Sequence, residues 1–185
     1  MLKTNNNFKP FSFTSALSEL IFVSQHATLG MKKLKFLPDD LPDIEMIGIN
    51  TDLHDYRLAY FINKETPLNL ERMDDLPAFS EKQKIVMNYC LYSWFDVDQR
   101  LQYYLIGNDN YQGKLIEQYS QANYFILIMG KAGNNHMKMM TSVIRGLPSV
   151  TFVFVPVISK IKELNGILHD LEIHELNQNT RNRLA

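Results

Sequence analysis

Apolar residues recur along this chain with two different periods. Ile44-Glu45-Met46-Ile47-Gly48-Ile49 is a strand-length run. From Leu53 the spacing becomes helical, with Thr51 or Asp52 as the expected N-cap, Glu65 near the end and Thr66-Pro67 as the stop. On a helical wheel Leu53, Tyr56, Leu58, Ala59, Tyr60 and Ile62 take more than half the circumference, leaving Arg57 and Lys64 on the remaining edge. Such a helix is expected to be buried on more than one side, or to face a partner subunit. Leu68 to Arg72 alternates as a strand does, Asp74-Asp75-Leu76-Pro77 reads as a turn, and Ser80 to Lys84 as an exposed loop.

Two long strands follow, Ile85 to Phe95 and Arg100 to Asn108, and Asp96-Val97-Asp98-Gln99 joins them as a hairpin. After a loop over 107–113, Tyr124-Phe125-Ile126-Leu127-Ile128-Met129 is a continuous apolar run, the mark of a central strand covered on both faces. Asn134 or Asn135 is the expected cap of a helix through Arg145, closed by Gly146 and Pro148, before a strand over 150–155. Ile161, Leu164, Ile167, Leu168 and Leu171 predict a C-terminal helix.

Strand, helix, strand over 44–72 and again over 124–155, bracketing a hairpin, predicts an α+β fold. It is a mainly antiparallel sheet of about six strands with helices packed on one face and a C-terminal helix. The second unit, with Arg145-Gly146-Leu147-Pro148-Ser149-Val150 leading into its last strand, looks similar to the second half of small ferredoxin-like regulatory domains. Residues 36–175 are expected to form one α+β domain, residues 176–185 a frayed tail, and residues 1–35, which lack a clear period, an accessory segment of marginal order.

Composition narrows the class. At 45% hydrophobic and 21% charged residues the chain is ordinary for a folded protein, which argues against disorder. Lys and Arg number 19 against 20 Asp and Glu, so a net charge of −1 gives no global attraction for nucleic acid or an anionic membrane. No segment reaches the ~20 apolar residues of a membrane span. Cys90 is the single cysteine, which excludes an internal disulfide or a four-cysteine zinc site and favours a cytoplasmic location. It sits in the apolar run Tyr89-Cys90-Leu91-Tyr92 and reads as an inert core thiol.

Candidate chemistry is sparse. Asp55 falls inside the apolar arc of the first helix, where a displaced carboxylate can act as acid or base. With Asp52 as cap it would instead occupy the third helical position and bond back to the cap amide. Tyr89, Tyr92, Trp94, Phe95, Tyr103 and Tyr104 invite a base-stacking platform, but the glycine-aromatic and basic signature of an RNA-binding sheet is missing, and cross-strand packing explains them. Gly107 and Gly113 lack the helix, lysine and hydroxyl of a phosphate cradle. Met137 and Met140 share a face with Ile144 and read as core filler, so no metal or other cofactor is expected.

Leu115-Ile116-Glu117-Gln118-Tyr119-Ser120-Gln121-Ala122-Asn123-Tyr124, with Ile47-Gly48-Ile49, Asp55-Tyr56-Arg57-Leu58, Asn63-Lys64 and Tyr103-Tyr104-Leu105-Ile106, resembles the bacterial IPExxxVDY family over residues 43–155. Members of that family have no assigned activity. This chain would be a diverged member: Ile116 and Tyr124 match the ends of the naming motif, while Gln118 and Asn123 stand where it has its two acids.

With no convergent chemical constellation, the expectation is a non-enzymatic interaction or regulatory protein, with a protein partner or a second copy of itself meeting Arg57, Lys64 and the hairpin aromatics, Tyr92, Trp94 and Tyr103 among them. The alternative is a small-molecule pocket between the first helix and the hairpin, formed by Asp55, Tyr56, Arg57 and Tyr103. Met31-Lys32-Lys33 also reads as an internal start. If translation begins there, mass spectrometry of the native protein will find no peptide from residues 1–30, and one such peptide refutes it.

Overall fold

The computed structural model describes residues 43–80 and 82–184. The accessory segment expected over residues 1–35, the Met31 start and residue 185 of the tail lie outside the described residues.

Strand β1 (Ile44–Thr51) leads into helix α1 (Asp55–Glu65) and then the short β2 (Glu71–Arg72). A ribbon of β3 (Leu76–Ser80) and β4 (Ile85–Tyr89) comes next, and β5 (Leu91–Asp96) and β6 (Leu101–Gly107) form the expected hairpin. A two-residue ladder of β7 (Asp109–Asn110) and β8 (Gly113–Lys114) precedes β9 (Tyr124–Met129), helix α2 (Asn134–Arg145), β10 (Val150–Phe154) and the C-terminal helix α3 (Leu164–Leu184). The main sheet has the order β10-β1-β9-β6-β5-β2, with every neighbouring pair antiparallel. The chain is therefore an α+β protein with a six-stranded antiparallel sheet.

Alternation along the strands divides the core in two. Ile47, Ile49, Tyr103, Leu105, Ile126 and Ile128 face one side with Leu58, Ala59 and Ile62 of α1 and Met137, Met140 and Ile144 of α2. Met46, Tyr104, Ile106, Phe125 and Leu127 face the other, under Leu76, Ala78, Met87 and Tyr89 of the ribbon and Leu164, Ile167 and Leu171 of α3. Handedness explains why α1 and α2 share a face. The pairings make β1 parallel to β2 and β9 parallel to β10, so each helix is a crossover. The two crossovers start from antiparallel strands and travel in opposite directions, and the same right hand then puts both helices on the same side.

Several local expectations change. The helix cap is His54, in extended geometry and without a side-chain cap bond, because β1 runs on to Thr51, which pairs with Val150 and donates its hydroxyl to the Ser149 carbonyl at 2.7 Å. Leu68 and Leu70 are buried as their alternation predicts, but the chain there is tied to α1 by Asn63, which accepts from the Leu70 amide at 2.8 Å and donates to its carbonyl at 3.0 Å, so only Glu71–Arg72 joins the sheet.

Leu76-Pro77, expected in a turn, starts β3: Leu76 and Ala78 point in, while Pro77 and Phe79 point out. The long strand over 85–95 is broken at Cys90, where the chain passes from the ribbon to the main sheet. Gly133, not Asn134 or Asn135, caps α2. Helix α3 continues to Leu184 through the polar residues expected to fray; Tyr104 donates to Glu175 and Arg181 pairs with Asp74 at 3.1 Å along its length. Among the described residues no helix is long and apolar enough to cross a membrane.

Gly130 ends β9 at φ 117°, a conformation L side chains avoid, and a Cβ there would lie 3.0 Å from the Arg100 carbonyl oxygen. Gly130→Ala is expected to destabilise the fold by about 1–3 kcal/mol, read as a lowered urea midpoint at unchanged slope. An unchanged midpoint would contradict the backbone assignment at this turn.

Candidate functional site

Two surfaces meet at the N-terminal end of α1. The first is an open cleft of about 490 Å³ lined by Thr51, Asp52, Leu53, Asp55, Cys90, Gly107, Asp109, Asn123 and Tyr124. Its walls are tied together. The Thr51 amide donates to Asn123 Oδ1 at 3.0 Å, Asn123 Nδ2 donates to Asp109 Oδ2 at 2.9 Å, and Lys114 pairs with Asp109. The Tyr124 hydroxyl donates to the Leu53 carbonyl at 3.0 Å, and burial pushes its pKa upward. Gly107 allows the Cys90 sulfur to sit where a Cβ would come within 2.7 Å of it.

Asp55 is the first helical residue, not the third, and does not return to its own cap. Tyr92 donates its hydroxyl to Asp55 Oδ2 at 3.2 Å, while Arg72 Nε lies 3.8 Å from the same oxygen and its guanidinium 5.4 Å from the Tyr92 ring centre. Arg72 also donates to the Leu91 carbonyl at 3.2 Å and pairs with Asp75. The Asp55 carboxylate thus joins α1 to the edge of the sheet. Burial first and the Asp55 charge second push the Cys90 thiol to about 11 and the Tyr92 phenol to about 12. A thiol held protonated at neutral pH is not a nucleophile. What the cleft offers is mainly carboxylate oxygens.

The second surface is the outer face of α1. Its buried stripe is Leu58, Ala59 and Ile62 alone, so the expectation of burial on more than one side is corrected. Tyr56 and Tyr60, one turn apart, are each 61% exposed, with Arg57 and Lys64 exposed beside them and Phe61 half-buried. The Tyr56 ring stacks on His54 at 5.9 Å, and Tyr60 meets Phe61 edge-on at 5.5 Å.

The hairpin aromatics do not join this surface. Tyr92 is buried on Asp55, and Trp94 packs across the strands on Tyr103 at 5.6 Å. Tyr103 is fully buried, with its hydroxyl 2.8 Å from His136 Nε2 on α2. Phe95 alone of the six is exposed. Of the four residues expected to form a pocket, Asp55 lines the cleft; Tyr56, Arg57 and Tyr103 do not. Tyr60 was the missed member of the outer face: its spacing from Tyr56 and Lys64 was visible, but periodicity does not say which side of a broad apolar arc meets the core.

The segment over 115–124 is held by a buried brace. Asn108, fully buried, accepts from the Ile116 amide at 2.7 Å and donates to the Ala122 carbonyl at 2.9 Å and the Tyr119 carbonyl at 3.3 Å. Ile116 and Ala122 fill the core, Asn123 ties β1 to Asp109, and Gln118 is exposed. Met137 and Met140 lie in the core with Ile144.

Comparison with protein families, with characterised protein sequences and with solved structures finds no match for this chain. The functional reading therefore rests on geometry.

Burial also raises Tyr103 to about 12. Folded-state pKa values for Cys90, Tyr92 and Tyr103 thus stand above their ordinary values of 9.0, 10.0 and 10.0. The stability linked to their neutral forms is fully present below the lower values and is lost as pH rises through the raised ones. The melting temperature is expected to hold to about pH 9 and to fall steadily toward pH 12. A flat profile across that window would contradict these burial assignments.

Proposed function

We propose that this chain is a non-enzymatic interaction domain whose contact surface is the outer face of α1. One observation carries the reading: Tyr56 and Tyr60 stand well exposed on successive turns, with Arg57 and Lys64 around them, on a helix whose other side is already buried in the core. Tyrosine and arginine are the residues that anchor protein interfaces, because they bring large, rigid, amphipathic area at low entropic cost. The resemblance to a family without an assigned activity is compatible with this reading and adds no reaction to it.

A second reading rests on the cleft: its carboxylate oxygens would suit a small ligand rich in donors, such as an amine, bound at Asp52 and Asp55.

The two readings separate in one experiment. Tagged full-length protein and its Tyr60→Ala variant are compared by affinity capture, with mass spectrometry of proteins and small molecules together. The interaction reading expects a stoichiometric protein partner whose capture falls at least about tenfold in the variant, while the far-ultraviolet spectrum is unchanged. Equal capture by both proteins, of other chains and of untagged copies of this one alike, refutes it. A retained amine without a protein partner favours the cleft.

A further inference from the structure

We infer that the occupant of the α1 face is α1 of a second copy of this chain, packed antiparallel about a two-fold axis through Tyr60. The inference rests on the interaction reading above and names its partner. Tyr56, Tyr60 and Lys64 stand at i, i+4 and i+8 and so form one ridge along the exposed side of the helix. A two-fold axis at the middle of that ridge sets Tyr60 against its own copy. By the same symmetry Tyr56 falls opposite Lys64 of the second copy, and Lys64 opposite its Tyr56. Each ammonium then meets the face of an aromatic ring, at the end of the helix where exposed Asp52 carries the opposite charge.

A parallel arrangement would place Lys64 against Lys64 and leave both Tyr56 rings without a cation. The ridge is thus self-complementary in the antiparallel sense only. The i, i+4 row is also the ridge that interdigitates in the commonest class of helix packing. Arg57 flanks the ridge and lies at the rim of the contact, where it sets orientation more than affinity.

The test uses the full chain. Sedimentation equilibrium is expected to show a dimer at micromolar concentration, weakened about 30-fold or more by Tyr60→Glu. Disulfide trapping in a Cys90→Ser background reads the register directly. Tyr60→Cys lies on the axis and is expected to cross-link two chains under mild oxidation. Tyr56→Cys is expected not to, because its two copies are separated by eight residues of helix, ~12 Å along the axis, beyond disulfide reach. Val97→Cys, exposed on the hairpin turn, controls for random collision.

A protein that stays monomeric and untrapped overturns the second copy as partner, and so does a dimer that survives Tyr60→Glu and fails to trap at Tyr60→Cys. Trapping at Tyr56→Cys but not at Tyr60→Cys overturns the register. If the chain is monomeric while Tyr60→Ala still abolishes capture of another protein, this inference alone fails. If Tyr60→Ala changes neither capture nor assembly, the interaction reading fails with it.

Discussion

Strand β9 must be covered on both faces, and the rest of the fold answers that demand. Phe125 and Leu127 point one way, Ile126 and Ile128 the other, and all four are buried to within about one percent. Burying side chains of this size contributes roughly 1.5–3 kcal/mol each. One face takes α1 and α2, delivered together by crossovers of the same hand. The other takes the β3–β4 ribbon and α3. Because α1 meets the sheet through Leu58, Ala59 and Ile62, its opposite side is left facing outward with Tyr56 and Tyr60 on it. The candidate contact surface follows directly from how the central strand is covered.

Much of this was legible in the sequence. The run Tyr124–Met129 gave its position and double burial, the apolar runs flanking 96–100 the β5–β6 hairpin with its aromatic cross-strand pairing, and the repeated strand-helix-strand order the α+β class. Two of the misreadings share a cause: hydrogen bonds to backbone groups that spacing along the chain does not reveal. Thr51 continues a strand because Ser149 and Asn123 bond to it from positions 98 and 72 residues away. Leu68 to Leu70 leaves the sheet because Asn63 takes its amide and carbonyl. The split at Cys90 and the turn residues Lys84, Arg100 and Ser149, with φ near 60° in side chains that rarely adopt it, carry no local sign.

The candidate site was read only in part. Asp55 was singled out as a carboxylate within an apolar arc, but its partners Tyr92 and Arg72 lie 37 and 17 residues away and cannot be read from spacing. Tyr92, Trp94 and Tyr103 were grouped with Arg57 and Lys64 because aromatics and cations favour interfaces. The pleat sends the three aromatics inward and the helix sends the two cations outward. The cleft and the α1 face meet at Asp52 to Asp55, and they differ in kind: the cleft presents carboxylate acceptors, the face presents exposed rings with cations beside them.

Hydroxyl-radical footprinting of the full chain, followed residue by residue from dilute to assembled protein, tests the central claim most directly. The α1 surface predicts that oxidation of Tyr56 and Tyr60 falls on assembly, while exposed Phe79 and Tyr111, on other parts of the fold, react unchanged. Undiminished oxidation of Tyr56 and Tyr60 in the assembled state would contradict it.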